Sequence, residues 1–85
     1  MAYQIEFAPR AYRQFKKLER DTQRQLLSRI EDLNSNPRPS GVKKLAAVEN
    51  LYRIRIGDYR VVYEIRDRAL VVVVVKVGHR RDVYS

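Results

Sequence analysis

Apolar and polar positions change their period partway along the chain. Tyr3, Ile5 and Phe7 alternate with Gln4 and Glu6, which predicts a short strand over about residues 2–7 with one face on a core. Pro9 fits the first turn of a helix, and Ala11, Tyr12, Phe15 and Leu18 then recur at helical spacing. Asp21 is expected to cap a second helix, although Arg24 stands where a capping box would carry Glu or Gln. Leu26, Leu27, Ile30 and Leu33 form the apolar stripe of that helix, and Asn34 to Gly41, with Pro37 and Pro39, ends it in a loop.

Beyond the loop the period falls to two. Tyr52, Ile54 and Ile56 alternate with Arg53 and Arg55, Gly57-Asp58 signals a two-residue hairpin, and Tyr59, Val61, Tyr63 and Ile65 resume the pattern. Asp67-Arg68 turns the chain into Leu70–Val77, whose five consecutive valines suit an inner strand covered on both faces. The expected order is β-α-α-β-β-β in the α+β class, with a helical hairpin on one face of a small, mainly antiparallel four-stranded sheet. Residues 1–85 read as a single domain.

A hairpin closed at Gly57-Asp58 sets Arg55 directly opposite Arg60, with Arg53 one pair further along the same face. Like charges so placed destabilise a strand pair by a few tenths to roughly 1 kcal/mol, and a bound anion would relieve them. A solvated face that resists aggregation is the competing account. Glu64, diagonal to Arg53, offsets part of the repulsion. Desolvating an ammonium is costly, so Lys76 is expected on the arginine face, and strict alternation then puts Val72 and Val74 there too. With Val62 and Leu70 these valines would make an apolar strip, covered either by a protein partner or by the chain's own C-terminal residues or a loop.

Composition narrows the partners. Within 85 residues, 18 Lys and Arg face 10 Asp and Glu, a net charge of +8, and 13 of the cations are Arg. Guanidinium groups grip phosphate in two places, so nucleic acid is favoured over a membrane surface. Zero cysteines and one His without a HxxxH or HxxE pair exclude disulfides and thiol chemistry and give no grounds for a metal site or cofactor. The N-terminus lacks the basic head and apolar stretch of a secretory signal, and no apolar run approaches the length of a membrane helix. A cytoplasmic, soluble protein is expected.

At the end of the valine strand, Gly78-His79-Arg80-Arg81-Asp82-Val83-Tyr84 concentrates polar groups. Arg80 is expected to reach the end of the sheet that carries Arg60, and Tyr84 offers a ring for stacking on an unpaired base. The ordered set LYRIRIGDYRVVYEI, a hydrophobic strand and VGHRRDVY resembles the RelE family of bacterial toxins in the RelE/ParE superfamily. MAYQIEF and the helical hairpin fit as well, so the likeness covers essentially the whole chain.

The resemblance implies the toxin of a type II toxin–antitoxin system: a ribosome-dependent, metal-independent endoribonuclease that cleaves mRNA in the A site and inhibits translation. It implies a RelB-like antitoxin as partner, and operator DNA bound only through the antitoxin complex. Family function depends on positions that fall on Arg53, Arg55, Arg60, Arg80 and Tyr84. The residues and the resemblance together give Arg60, Arg80, Tyr84 and His79 as catalytic candidates, and Arg53, Arg55, Lys76 and Arg81 as RNA- or phosphate-binding candidates. Arg53 and Arg55 stand where relatives often carry Lys. The proton acceptor is therefore left open among His79, because imidazole ordinarily titrates near neutrality, Tyr84 and Lys76. Two other readings stand beside this one: a ParE-like gyrase poison, against which GHRRDVY speaks, and a basic RNA- or DNA-binding module without chemistry.

Overall fold

A computed structural model describes residues 2–45 and 50–79. Strand β1 (Gln4–Phe7) leads into helices α1 (Pro9–Lys16) and α2 (Arg20–Glu31), and a short 3-10 turn (Asp32–Asn34) closes the second helix. Strands β2 (Lys43–Lys44), β3 (Leu51–Ile56), β4 (Tyr59–Arg66) and β5 (Val71–His79) follow. The sheet has five strands in the order β1-β5-β4-β3-β2, parallel only between β1 and β5. The α+β class and the chain order are as the sequence predicts. The expected count of four strands misses β2, which is two residues long, too short to show a period.

Both helices lie on one face of this sheet. Ala11 and Phe15 of α1 and Leu26 and Ile30 of α2 share a core with Tyr52, Ile54, Ile56, Val61, Tyr63, Ile65, Val72, Val74 and Val77. Two expected core positions are instead exposed, Tyr12 at 52% and Leu27 at 39%, because each short helix buries only a narrow stripe. Asp21 is not the cap of α2. The helix starts two residues earlier than such a cap implies, with Glu19 at the N-cap position making no side-chain bond, and Asp21 sits inside the first turn, where it pairs with exposed Arg24 at 3.5 Å. The turn between the helices is held by Gln23, whose Nε2 donates to the carbonyls of Phe15, Lys16 and Leu18.

The expected register of the valine strand is half right. Lys76 pairs with Val62 on the arginine face, as the cost of desolvation requires. Val72 and Val74, however, are 0% exposed and pack on the helix side with Val77. A bulge resolves the conflict. Val62 faces Lys76 while Tyr63 faces Val74, so Val75 is an extra residue and parity inverts across it. Without it, burying Val72 and Val74 would bury Lys76 as well. Leu70 also lies outside the strand, in the preceding turn at φ 55, where its carbonyl accepts the Gln4 N–H at 2.8 Å. The apolar strip on the open face therefore consists of Val62, Val71 and Val73, beside Glu6 of β1.

At the end of the sheet remote from the β3–β4 hairpin, a polar cluster ties the proline loop to the strands. Arg38 donates to both carboxylate oxygens of Asp67 at 3.2 and 2.9 Å and to Tyr52 Oη at 3.1 Å, while Tyr3 Oη donates to Asp67 at 2.7 Å. Buried Tyr63 donates to the Pro37 carbonyl at 2.8 Å. The Arg38 and Tyr3 bonds hold the Asp67 carboxyl below its ordinary range, and burial raises the Tyr63 phenol above its own.

Candidate nucleic-acid interface

The β3–β4 hairpin builds the site. Gly57, at φ 60, occupies the first central position of a two-residue turn, a conformation that side-chain-bearing residues rarely adopt. This turn fixes the register, so Arg55 pairs with Arg60 as expected, and Arg53, paired with Val62, lies on the same face. Their alternating neighbours Tyr52, Ile54, Ile56 and Val61 are held in the core, which anchors each guanidinium to a rigid strand.

Arg53, Arg55 and Arg60 line a single hollow of about 160 Å³, together with Gly41 and Lys43. Arg60 is only 7% exposed, whereas Arg55 is open to solvent and donates through Nε to the Gly57 carbonyl at 3.3 Å. Among the described residues, no carboxylate lines this hollow. Glu64, expected to temper Arg53, instead pairs with Arg66 further along β4. A cation withdrawn from water acts through a lower effective dielectric, so the hollow attracts an anion more strongly than the same charges spread over a surface. Its size suits a phosphodiester with part of its sugar rather than a whole ligand of drug size.

The sequence overlooked Lys43. It pairs with Arg53 across β2 and β3 and so completes the basic ring. The only signal was the Lys43-Lys44 pair between Val42 and Leu45, in a stretch with no alternation to mark it as a strand. Lys76 lies on the same face as the hollow, next to Val62.

His79 is not brought to the arginines. It pairs with Tyr59 on the helix side of the sheet, their rings edge to face with centroids 5.6 Å apart. Arg80, Arg81 and Tyr84 fall outside the described residues, which end with Gly78 beside Arg60 and His79 beside Tyr59. Among the described residues, no three His, Asp or Glu side chains gather as a metal site, and no helix is long and apolar enough to cross a membrane.

Comparison with known proteins agrees with this geometry. Residues 5–84 match the family described as the ParE toxin of the type II toxin–antitoxin system parDE. Over 100% of the chain and 93% of its relative, the sequence is 34% identical to the mRNA interferase toxin RelE of Escherichia coli K12. The RelE toxin in the crystal structure of the intact E. coli RelBE toxin–antitoxin complex superposes with a TM-score of 0.82 at 31% identity, covering 92% of this chain and 96% of that one. The archaeal RelE–RelB complex of Pyrococcus horikoshii gives a TM-score of 0.82 at 28% identity, over 94% and 97%. With the fold and nearly the full length in common, this chain belongs to the RelE/ParE family of type II toxin–antitoxin toxins, on its RelE side.

Proposed function

We propose that this toxin is a ribosome-dependent endoribonuclease that cleaves mRNA in the A site and thereby stops translation, and that a RelB-like antitoxin holds it inactive. The observation that carries the reading is the convergence of Arg53, Arg55, Arg60 and Lys43 on one hollow, with Arg60 largely withdrawn from water. RNA supplies its own nucleophile. Attack of a 2′-hydroxyl on the adjacent phosphorus forms a 2′,3′-cyclic phosphate, breaks the bond to the 5′-oxygen, and passes through a state with extra negative charge on the phosphoryl oxygens. Arg60 faces that charge from a fixed strand, and Arg53, Arg55 and Lys43 hold the flanking backbone. Arg80 is assigned to the same charge, Arg81 to a neighbouring phosphate, and Tyr84 to stacking or proton movement, all by family resemblance.

Of the three proton-acceptor candidates, His79 stands on the face opposite the arginines, which favours Tyr84 or Lys76 for that step. A weak chemical apparatus suits an enzyme whose substrate is oriented by the ribosome, because orientation alone contributes on the order of several kcal/mol. The strip of Val62, Val71 and Val73 beside the basic hollow suits an amphipathic antitoxin segment carrying acidic groups. A translating ribosome as substrate places the activity in the cytoplasm.

Programmed ribosomes incubated with the toxin, with mRNA ends mapped by primer extension, test this reading. Cuts confined to the A-site codon and lost in Arg60→Ala are the expected result. Intact mRNA together with inhibited DNA supercoiling would instead establish a gyrase poison, the activity suggested by the ParE name of the matching family.

A further inference from the structure

Behind the arginine hollow, on the helix side of the sheet, a second and larger hollow of about 360 Å³ opens between α1 and the ends of β4 and β5. No described residue lines both hollows: Tyr59 and His79 face the helix side, and Lys76 and Gly78, though on the arginine side, border this one along the stretch of β5 that β1 leaves unpaired. Arg10 of α1 and Lys17 directly after that helix line it from one side, Tyr59, Lys76 and His79 from the other, and Gln14 lies between. Among the described residues, no Asp or Glu lines it. Gln14 is pinned, because its Oε1 accepts the Val77 N–H at 2.8 Å along an edge of β5 that β1 does not reach, so its Nε2 is the end offered to a ligand. The Tyr59 and His79 rings pack edge to face against one another, and both residues line the hollow.

We propose that this back hollow binds a nucleotide unit, with the phosphate against Arg10 and Lys17 and the base against the Tyr59–His79 pair. Cations alone would accept any polyanion. Cations beside two aromatic rings and an oriented amide match the three parts of a nucleotide, and the volume lies in the range of small-ligand sites. The unit is either a free nucleotide or one residue of an RNA strand that also reaches the front hollow around the end of β5. The proposal does not depend on the cleavage reading, since binding requires neither a ribosome nor chemistry.

The chain's one His provides the probe. The His79 imidazole resonances are followed by NMR during titration with 5′-AMP, with a 2′-O-methyl trinucleotide that cannot be cleaved, and with inorganic phosphate. A saturable shift is expected with AMP or with the trinucleotide, weakened at least about tenfold in Arg10→Ala/Lys17→Ala, and the shift caused by AMP, which is too small to span both hollows, is unchanged in Arg55→Ala. AMP without the trinucleotide identifies a free-nucleotide site, and tighter binding of the trinucleotide identifies an RNA contact. Arg10 and Lys17 are both exposed, so their replacement leaves the core intact, which thermal melting verifies. The proposal is overturned if no probe moves His79, if phosphate binds as well as AMP, or if Arg55→Ala abolishes the shift while the double variant does not.

Discussion

Arg55 and Arg60 oppose each other across the hairpin, an arrangement that costs the empty protein a few tenths to roughly 1 kcal/mol. Arg55→Thr should therefore raise the melting midpoint, by up to about 4–8 °C for a chain of this size, while weakening cleavage on programmed ribosomes. A lower midpoint would mean that the arginine pair is not under repulsive strain. In the proposed reaction Arg60 serves a different purpose, meeting the developing charge. Arg60→Ala should reduce single-turnover cleavage by roughly 10²–10³-fold, and Arg60→Lys should restore only part of it, because an ammonium lacks the planar fork. At the far end of the sheet, Asp67 is held below its ordinary titration range by Arg38 and Tyr3. Its contribution to stability is thus fully present above the unfolded carboxylate value of about 3.9 and is lost as pH falls through the depressed folded value. Melting curves across the acid range should show a flatter dependence in Asp67→Asn than in the parent, and identical acid limbs would contradict the assignment.

At the scale of elements, the most consequential feature is the bulge in β5. Hairpin register was legible from the sequence because Gly57-Asp58 is a local signal that dictates every pair behind it. The bulge was not legible, because five identical valines carry no mark of which one is extra. Its cause is visible only when Val72, Val74 and Val77 are seen to need one face while Lys76 needs the other. Strand β2 was hidden for a related reason, as its partner β3 lies beyond the proline loop and two residues show no alternation, so Lys43 was missed with it. The Arg38–Asp67 pair joins residues too distant in sequence for any spacing rule. The bulge makes a sharp prediction. Val74→Asp should prevent folding, since it buries a carboxylate in the core, whereas Val73→Asp should fold and bind the antitoxin poorly. Circular dichroism and co-purification with the antitoxin distinguish the two, and the opposite outcome would restore the unbulged register. In the loop, Tyr63→Phe leaves the Pro37 carbonyl without its donor and should cost about 1–3 kcal/mol in denaturant unfolding.

Across the whole molecule, the net charge of +8 is not spread evenly over the open face of the sheet. Lys43, Arg53, Arg55, Arg60 and Lys76 gather toward the hairpin end, while Glu6 of β1 and the Glu64–Arg66 pair lie beyond the intervening valines. A polyanion arriving from solution is therefore drawn toward the hairpin, where the hollow receives it, and not along the full sheet. Salt dependence measures how many of those cations are engaged. For a single strand, the logarithm of the binding constant falls with the logarithm of salt concentration at a slope of about −0.7 for each phosphate neutralised. Binding of a 2′-O-methyl RNA, followed by anisotropy across a salt series, should lose about 0.7 from the magnitude of that slope in Arg55→Ala and again in Lys43→Ala. Glu64→Gln should leave it nearly unchanged, because that carboxylate is already engaged by Arg66 and stands outside the hollow. Equal effects from all three variants would mean that RNA responds only to the total charge of the protein, and the hollow would then have no special claim on the phosphodiester.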